Sequence, residues 1–437
     1  AAAQLDDASW GVVDTPHDFV SYGSYLESGA EVSNGQGNLA KNVSWYRKHL
    51  RMPTAWEGSH IELYVEGAYS VATYYLNGKL LGTHQNGYTS AIWRLDSVPG
   101  AALRFGDGGD NVLAVFVDAR MAHCTGWWYE GGGIFRNSFL ISTSRVRLPS
   151  HGVFASAAVP KGSFSHPQLP RDGITASTAT VTARATVEGD ADWAADDVTA
   201  EVTFTVCASD GQAVASGKAT ASALPANVSA TIALTQASVW SVARPYLYVL
   251  NTQVRVGNLV VDSVNTSFGV RNVAWSADHG LLLNEQRVKM RGFCEHENFA
   301  GVGSAIPERV NLFRLQQMRG VGGNAWRASH NPPSPSLLEL ADRLGVVVLD
   351  ENRVFQTALA NNMADLVSRD RNHPAVIFWS FCNEPCELAS AATASSPLTV
   401  ACWFFSTGDA TTRIVQRRRS HRSRSRTPSR PMTARGL

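Results

Sequence analysis

The sequence predicts a multidomain chain: two β-sandwich regions, then an incomplete (β/α)8 barrel, then a disordered tail. Three observations predict it. Residues 1 to about 273 consist of short strand-like runs separated by Gly, Asn and Asp turns. From Leu281 onward strand-like and helix-like segments alternate, each strand followed by polar residues. Ala375–Phe381, apolar except for Ser380, follows Pro374 and leads to Asn383-Glu384-Pro385. Continuous apolarity of that length reads as a strand buried on both faces, as in a parallel sheet inside a helical shell. The changes of pattern divide the chain into 1–150, 151–273, 274–385 and 386–437.

The first region reads as all-β. Strands are expected over Ile61–Val65, Ala72–Leu76, Val112–Val117 and Phe139–Ser142. Asn77-Gly78, between Tyr74-Tyr75-Leu76 and Lys79-Leu80-Leu81, is a two-residue hairpin signal. Trp127-Trp128-Tyr129-Glu130-Gly131-Gly132-Gly133-Ile134-Phe135-Arg136 is the unusual stretch. Its glycines suit a loop whose backbone approaches another surface closely. A glycine-rich turn with core aromatics is the plainer reading.

The second region opens on a Pro/Ser/Gly-rich linker, Pro160–Gly173. Alternation in Thr180–Ala183, Thr199–Val206, Leu247–Leu250 and Thr252–Val256 predicts about seven short strands, an immunoglobulin-like β-sandwich. Nothing catalytic stands out there, so it reads as a spacer.

The third region begins with a hairpin near Leu281–Gly292 and a strand ending in Phe293-Cys294-Glu295-His296-Glu297-Asn298. Helices are expected over Pro307–Met318, Pro335–Arg343 and near Met363–Arg369, with a strand over Val346–Leu349. Four βα units fill about 110 residues, whereas a full barrel needs about 250. Polar residues at the C-terminal ends of parallel strands point into the mouth of a barrel, which makes Glu384 a candidate general acid.

Composition is globular, with 44% hydrophobic and 17% charged residues. The net charge of +1 averages two unlike parts: residues 413–437 hold nine Arg and no acid, which leaves −8 for the rest. The Arg/Ser run Gln416–Arg430 has no apolar period and is expected to be disordered. The rest of the chain shows no RNA-binding module, so no nucleic-acid partner is expected. No apolar run approaches the roughly 18 residues of a membrane span, and no membrane partner is expected. Six scattered Cys show neither zinc nor disulfide spacing. Sequons begin at Asn42, Asn227 and Asn265. The N-terminus lacks an initiator Met and a signal-peptide pattern, so the natural start is expected upstream or already removed.

Together these segments resemble the family 2 glycoside hydrolases, the group of β-galactosidase, β-glucuronidase and β-mannosidase. Asp370–Glu384 matches the family's acid/base signature, ending in Trp379-Ser380-x-x-Asn383-Glu384. Asn324-Ala325-Trp326-Arg327-Ala328-Ser329-His330-Asn331-Pro332 is similar to a second signature, and Trp127–Arg136 to the hallmark of the family's N-terminal jelly-roll domain. The resemblance covers about residues 5–385 and is nearest to the β-galactosidase branch. It implies a β jelly-roll sandwich, the immunoglobulin-like sandwich and a truncated barrel in that order. It also implies retaining hydrolysis of terminal β-D-galactosides. Glu384 would be the general acid/base and Asn383 would bind the sugar's 2-hydroxyl. His296 and His330 would contact sugar hydroxyls, and Arg327 would order the site. Read without the family, His330 is a turn residue before Pro332-Pro333 and Arg327 a structural ion pair.

The chain departs from the family after Glu384. Retention needs two carboxylates about 5–5.5 Å apart. The 53 residues after Glu384 offer only Glu387, in the same loop, and Asp409, outside any recognisable strand. Pro428–Ala434 is similar to the family's next strand, so residues 386 to about 427 read as foreign sequence. The polypeptide as given is therefore expected to have little or no glycosidase activity. Alternatives are a non-catalytic carbohydrate-binding protein, or β-glucuronidase or β-mannosidase specificity. The expected partner is a β-galactoside or related oligosaccharide, and a homo-oligomer is compatible with the sequence. No cofactor is expected: some β-galactosidases of the family bind Mg²⁺, but the carboxylate and His that complete that site are not evident after Asp350-Glu351-Asn352-Arg353.

Overall fold

The computed structural model of the chain describes residues 2–26, 38–120, 128–167, 173–190, 199–353, 359–380, 383 and 404–406. For 359–361 and 404–406 it describes the backbone course alone. Trp127, Glu384, Glu387, Asp409 and the expected Arg/Ser tail lie outside the described residues.

The first region builds two antiparallel sheets from β1 (Val43–Leu50), β2 (His60–Val65), β3 (Val71–Leu76), β4 (Lys79–His84), β5 (Ala91–Arg94), β6 (Asn111–Asp118) and β7 (Ser138–Thr143). Their orders are β1-β6-β3-β4 and β5-β2-β7. Period-2 side chains give each sheet one apolar face. Ile61, Leu63 and Val65 from one sheet meet Ala72, Tyr74, Leu76, Val115 and Val117 from the other in a single core. Asn77 and Gly78 both take positive φ, 48° and 81°, as the tight hairpin joining β3 to β4 requires.

The second region comprises β8 (Val146–Arg147), β9 (Val153–Ala158), β10 (Phe164–Ser165), β11 (Thr175–Gly189), β12 (Ala200–Cys207), β13 (Ala213–Ala221), β14 (Ala226–Ser238), β15 (Tyr248–Val256) and β16 (Leu259–Phe268). One sheet follows β10-β11-β14, with β8 and β9 also on β11; the other follows β13-β12-β15-β16. Two strands are longer than the sequence reading expected, 15 residues in β11 and 13 in β14. From Thr175 to Glu188 no Gly or Pro interrupts the alternation, so nothing local stops the strand. The expected linker also contributes one short strand, β10.

In the third region a hairpin sheet of β17 (Val273–Ser276), β18 (Gly280–Leu283) and β19 (Gln286–Arg287) precedes the mixed sheet. β20 (Gly292–Glu295), β21 (Ala325–Ala328), β22 (Val347–Glu351) and β23 (Val376–Ser380) run parallel in that order. β24 (Phe404–Ser406) adds antiparallel to β23. Helices Glu308–Gly320, Pro335–Leu344 and Leu359–Asp370 connect the parallel strands. Pro335 at the first turn and Gly345 at φ 67° delimit the second helix, because Pro has no amide to lose there and Gly accepts the left-handed cap. Val347, Val348, Val376 and Ile377 are at most 1% exposed, confirming a strand pair covered on both faces. Burying each such side chain stabilises by about 1.5–3 kcal/mol.

The turn before β23 docks the third region on the second. Asn372 accepts from the Ala155 amide (3.0 Å) and donates to the Val153 carbonyl (2.9 Å), imitating a strand partner on β9. Arg271 donates to the Pro374 and Val376 carbonyls, and Trp240 Nε1 to the Asp342 carbonyl. The first region docks beside it. Arg136 grips both oxygens of Glu297 and the Pro332 carbonyl, while Asp18 accepts from the Ser304 amide and hydroxyl.

Candidate active site

Parallel register places the C-terminal ends of β20 to β23 side by side, with Cys294 opposite Arg327, Arg327 opposite Leu349, and Glu351 opposite Ser380. His296 follows β20, Arg327 lies in β21, His330 follows it, and Asn383 follows β23. Residues 87 positions apart in sequence, His296 and Asn383, are thereby brought to one end of one sheet.

Glu351 is the hub, and the sequence reading did not select it. It is fully buried at the end of β22. Its carboxylate accepts from His330 Nδ1 at 2.6 Å, Arg327 Nη2 at 2.9 Å and Ser380 Oγ at 3.0 Å. Arg327 Nη2 also donates to Asn383 Oδ1 at 2.9 Å. Burial opposes the charge on Arg327, but the Glu351 carboxylate beside it outweighs that and raises its pKa. Arg327 is thus an ion pair as well as the group that orients Asn383. The rule that singled out Glu384, a carboxylate ending a buried parallel strand, would also have found Glu351.

His296 has a fixed tautomer. Nδ1 lies 2.7 Å from the Ser329 carbonyl, which only accepts, so Nδ1 carries the hydrogen. Burial lowers the ring's pKa, with the Ser329 bond opposing, so at neutral pH the ring is uncharged and Nε2 is an acceptor. His330 turns Nδ1 to Glu351, and the two rings stand 5.5 Å apart at 71°. Two imidazoles with fixed Nδ1 partners, a guanidinium and a primary amide form a set suited to the hydroxyls of an uncharged polar ligand.

The first region reaches this site too. Trp128 stacks on His296 with ring centres 4.7 Å apart and planes 9° apart, and meets His330 edge-on. Both readings of the Gly-rich stretch hold: its backbone closely approaches another surface, and its aromatics Trp128 and Phe135 are buried. Gly131 shows why glycine is needed: at φ 68°, a Cβ there would meet Asp18 Oδ2 and Ser304 Oγ.

The model of the glycosyl hydrolases family 2 TIM barrel domain matches residues 276–366 and 352–415. That of glycosyl hydrolases family 2 matches residues 171–271. The chain belongs to glycoside hydrolase family 2. A model of the beta-galactosidase second all-beta domain matches residues 14–123. Beta-galactosidase BoGH2A of Bacteroides ovatus is 29% identical over 411 residues, covering 89% of this chain and 45% of its own length. A beta-glucuronidase of Formosa agariphila is 25% identical, covering 86% of this chain and 39% of its own length. The crystal structure of a beta-glycosidase from Bacteroides vulgatus superimposes with a TM-score of 0.75 at 27% identity, covering 86% of this chain and 47% of that one. The chain therefore spans less than half the length of these family 2 relatives.

Of the two carboxylates in Asp350-Glu351-Asn352-Arg353, Glu351 has its oxygens committed to Arg327, His330 and Ser380, and Asp350 is fully buried beside Asp370 and Arg369. Elsewhere among the described residues His60, Asp96 and Asp190 cluster at metal-like spacing. Arg94 and Arg147 already neutralise those carboxylates, with Arg145 as a third cation on Asp190. That cluster is an ion-pair network tying β2 and β5 to the start of the second region.

Proposed function

We propose that the chain is part of a retaining glycoside hydrolase acting on terminal β-D-galactosides. In this reading Glu384 is the general acid/base, Asn383 binds the 2-hydroxyl, His296 and His330 contact other hydroxyls, and Arg327 orders them. Residues 1–150 act as a jelly-roll domain and 151–273 as an immunoglobulin-like spacer. Residues 274–385 supply the first half of a (β/α)8 barrel, and the match to the family's barrel model runs on to residue 415. The observation that carries the reading is the Glu351-centred cluster, in which Arg327 bonds both Glu351 and Asn383 while His330 shares the same carboxylate.

Charge supports a neutral sugar over a uronic acid. Among the described residues, Arg327, Arg353 and Arg136 each already hold a protein carboxylate: Glu351, Glu130 and Glu297. A substrate carboxylate would have to compete for one of them. Hydrolysis with retention needs a nucleophile about 5–5.5 Å from the acid/base, and neither Glu387 nor Asp409 has the family pattern. The polypeptide as given should therefore bind galactosides with little or no turnover. The test offers nitrophenyl β-D-galactoside and β-D-glucuronide to the purified chain, with methyl β-D-galactoside binding measured by calorimetry. Turnover abolished by Glu384→Gln would refute the inactivity, and preference for the glucuronide would refute the galactoside assignment. Binding without turnover is the expected result.

A further inference from the structure

The first β region sends one aromatic side chain into the sugar site, and its surroundings hold it rigidly. Trp128 is 7% exposed. Its ring stacks on His296, and the guanidinium carbon of Arg353 lies 4.5 Å from its centre. Arg353, just past β22, is itself anchored by Glu130 Oε1 at 2.8 Å, and Glu130 Oε2 accepts from Lys41 at 3.2 Å. The backbone that follows Trp128 is pinned to the third region. Asn298 Nδ2 donates to the Tyr129 carbonyl, and the Gly132 amide donates to Asp18, which also holds Ser304. His296, by contrast, makes one ring hydrogen bond among the described residues, Nδ1 to the Ser329 carbonyl, and a single bond leaves an imidazole free to swing about that axis. A flat ring stacked at 9° removes that freedom.

We propose that Trp128 is a positioning residue: it holds the His296 ring so that Nε2 is presented to the sugar, which makes the first β region part of the binding machinery. The inference rests on the galactoside reading for its affinity consequence but not for its ring geometry. A neutral His296 with Nδ1–H on Ser329 accepts a hydroxyl proton at Nε2. Tilting the ring, or exchanging tautomers, replaces that acceptor by a donor or turns it away. Glu130 and Arg353 act one step further back, by holding the indole.

The test uses the full chain labelled with ¹⁵N-histidine, with His296 assigned by the signal lost in His296→Gln. In the parent the ring is expected as a single Nδ1–H tautomer. Trp128→Leu should average the two nitrogen shifts and weaken methyl β-D-galactoside binding about tenfold, the size of one good aromatic contact. Trp128→Phe, which restores a flat ring, should bring both back to within about twofold. Glu130→Gln, which loosens Arg353, should move the same His296 signals and serves if Trp128→Leu does not fold. Trp45→Leu, on the outer face of the first region, should move neither. His296 shifts unchanged in Trp128→Leu and Glu130→Gln overturn the proposal, as does a loss of affinity that Phe fails to rescue. If the parent chain binds no galactoside, the galactoside reading falls while the histidine signals still decide the role of Trp128.

Discussion

Glu351→Gln perturbs one oxygen of a side chain that three others depend on. Gln keeps the volume but replaces an acceptor with an NH2 group, which must face a donor: His330 Nδ1, Arg327 Nη2 or Ser380 Oγ. Arg327 also loses its counter-ion. Breaking a fully buried pair costs about 3–5 kcal/mol. Arg327 is about one-third exposed, and water screens part of that, so about 2–3 kcal/mol is expected here. Asn383 is held by the same guanidinium, so galactoside affinity should fall at least about tenfold as well. Urea titration followed by tryptophan fluorescence reads the stability, because Trp326 and Trp379 lie in the core of this region. Adding Arg327→Met should recover at least about 1 kcal/mol, since two neutral partners cost less than one orphaned charge. A single variant within about 0.5 kcal/mol of the parent, with unchanged affinity, would refute the hub role of Glu351.

Arg136→Met removes the buried cation that ties the first region to Glu297 and the Pro332 carbonyl. A loss of about 3–5 kcal/mol at that junction is expected, visible as faster proteolysis between the regions, and Arg136→Met with Glu297→Gln should recover part of it. His151 accepts from or donates to Tyr64 OH at 2.9 Å; burial, with help from the Arg369 charge, pushes its pKa down to about 4. The unfolded ring takes up a proton near pH 6.5, so stability is lost as pH falls from about 6.5 to 4, by at most about 3 kcal/mol. His151→Gln should flatten that arm in urea midpoints. His373 behaves oppositely: burial works against its charge, but Asp342 at 2.6 Å prevails and raises its pKa. Its contribution is complete below about pH 6.5 and is lost as pH rises through the folded value, a slope that His373→Gln should remove.

The strand and helix pattern was legible because it is local. Ala375–Phe381 announces a buried strand by composition, Asn77-Gly78 announces its hairpin by the positive φ that both residues tolerate, and Pro335 with Gly345 brackets its helix. The candidates His296, Arg327, His330 and Asn383 were singled out by the resemblance to the family's motifs, and the structure brings them to one end of the parallel sheet. The length of β11 was missed because strand ends are marked by turn residues, and none occurs there before Gly189.

What the sequence by itself determined, then, is the order of elements and the strand ends at which chemistry is gathered, since both follow from periodicity over a few residues. Only the tertiary structure decided how those ends are held. Glu351 bonds Arg327 and Ser380, 24 and 29 residues away, and Trp128 stacks on His296, 168 residues away. No local pattern encodes such contacts. They exist because sheet register aligns four strand ends and because Arg136 and Asp18 seat the first region against them.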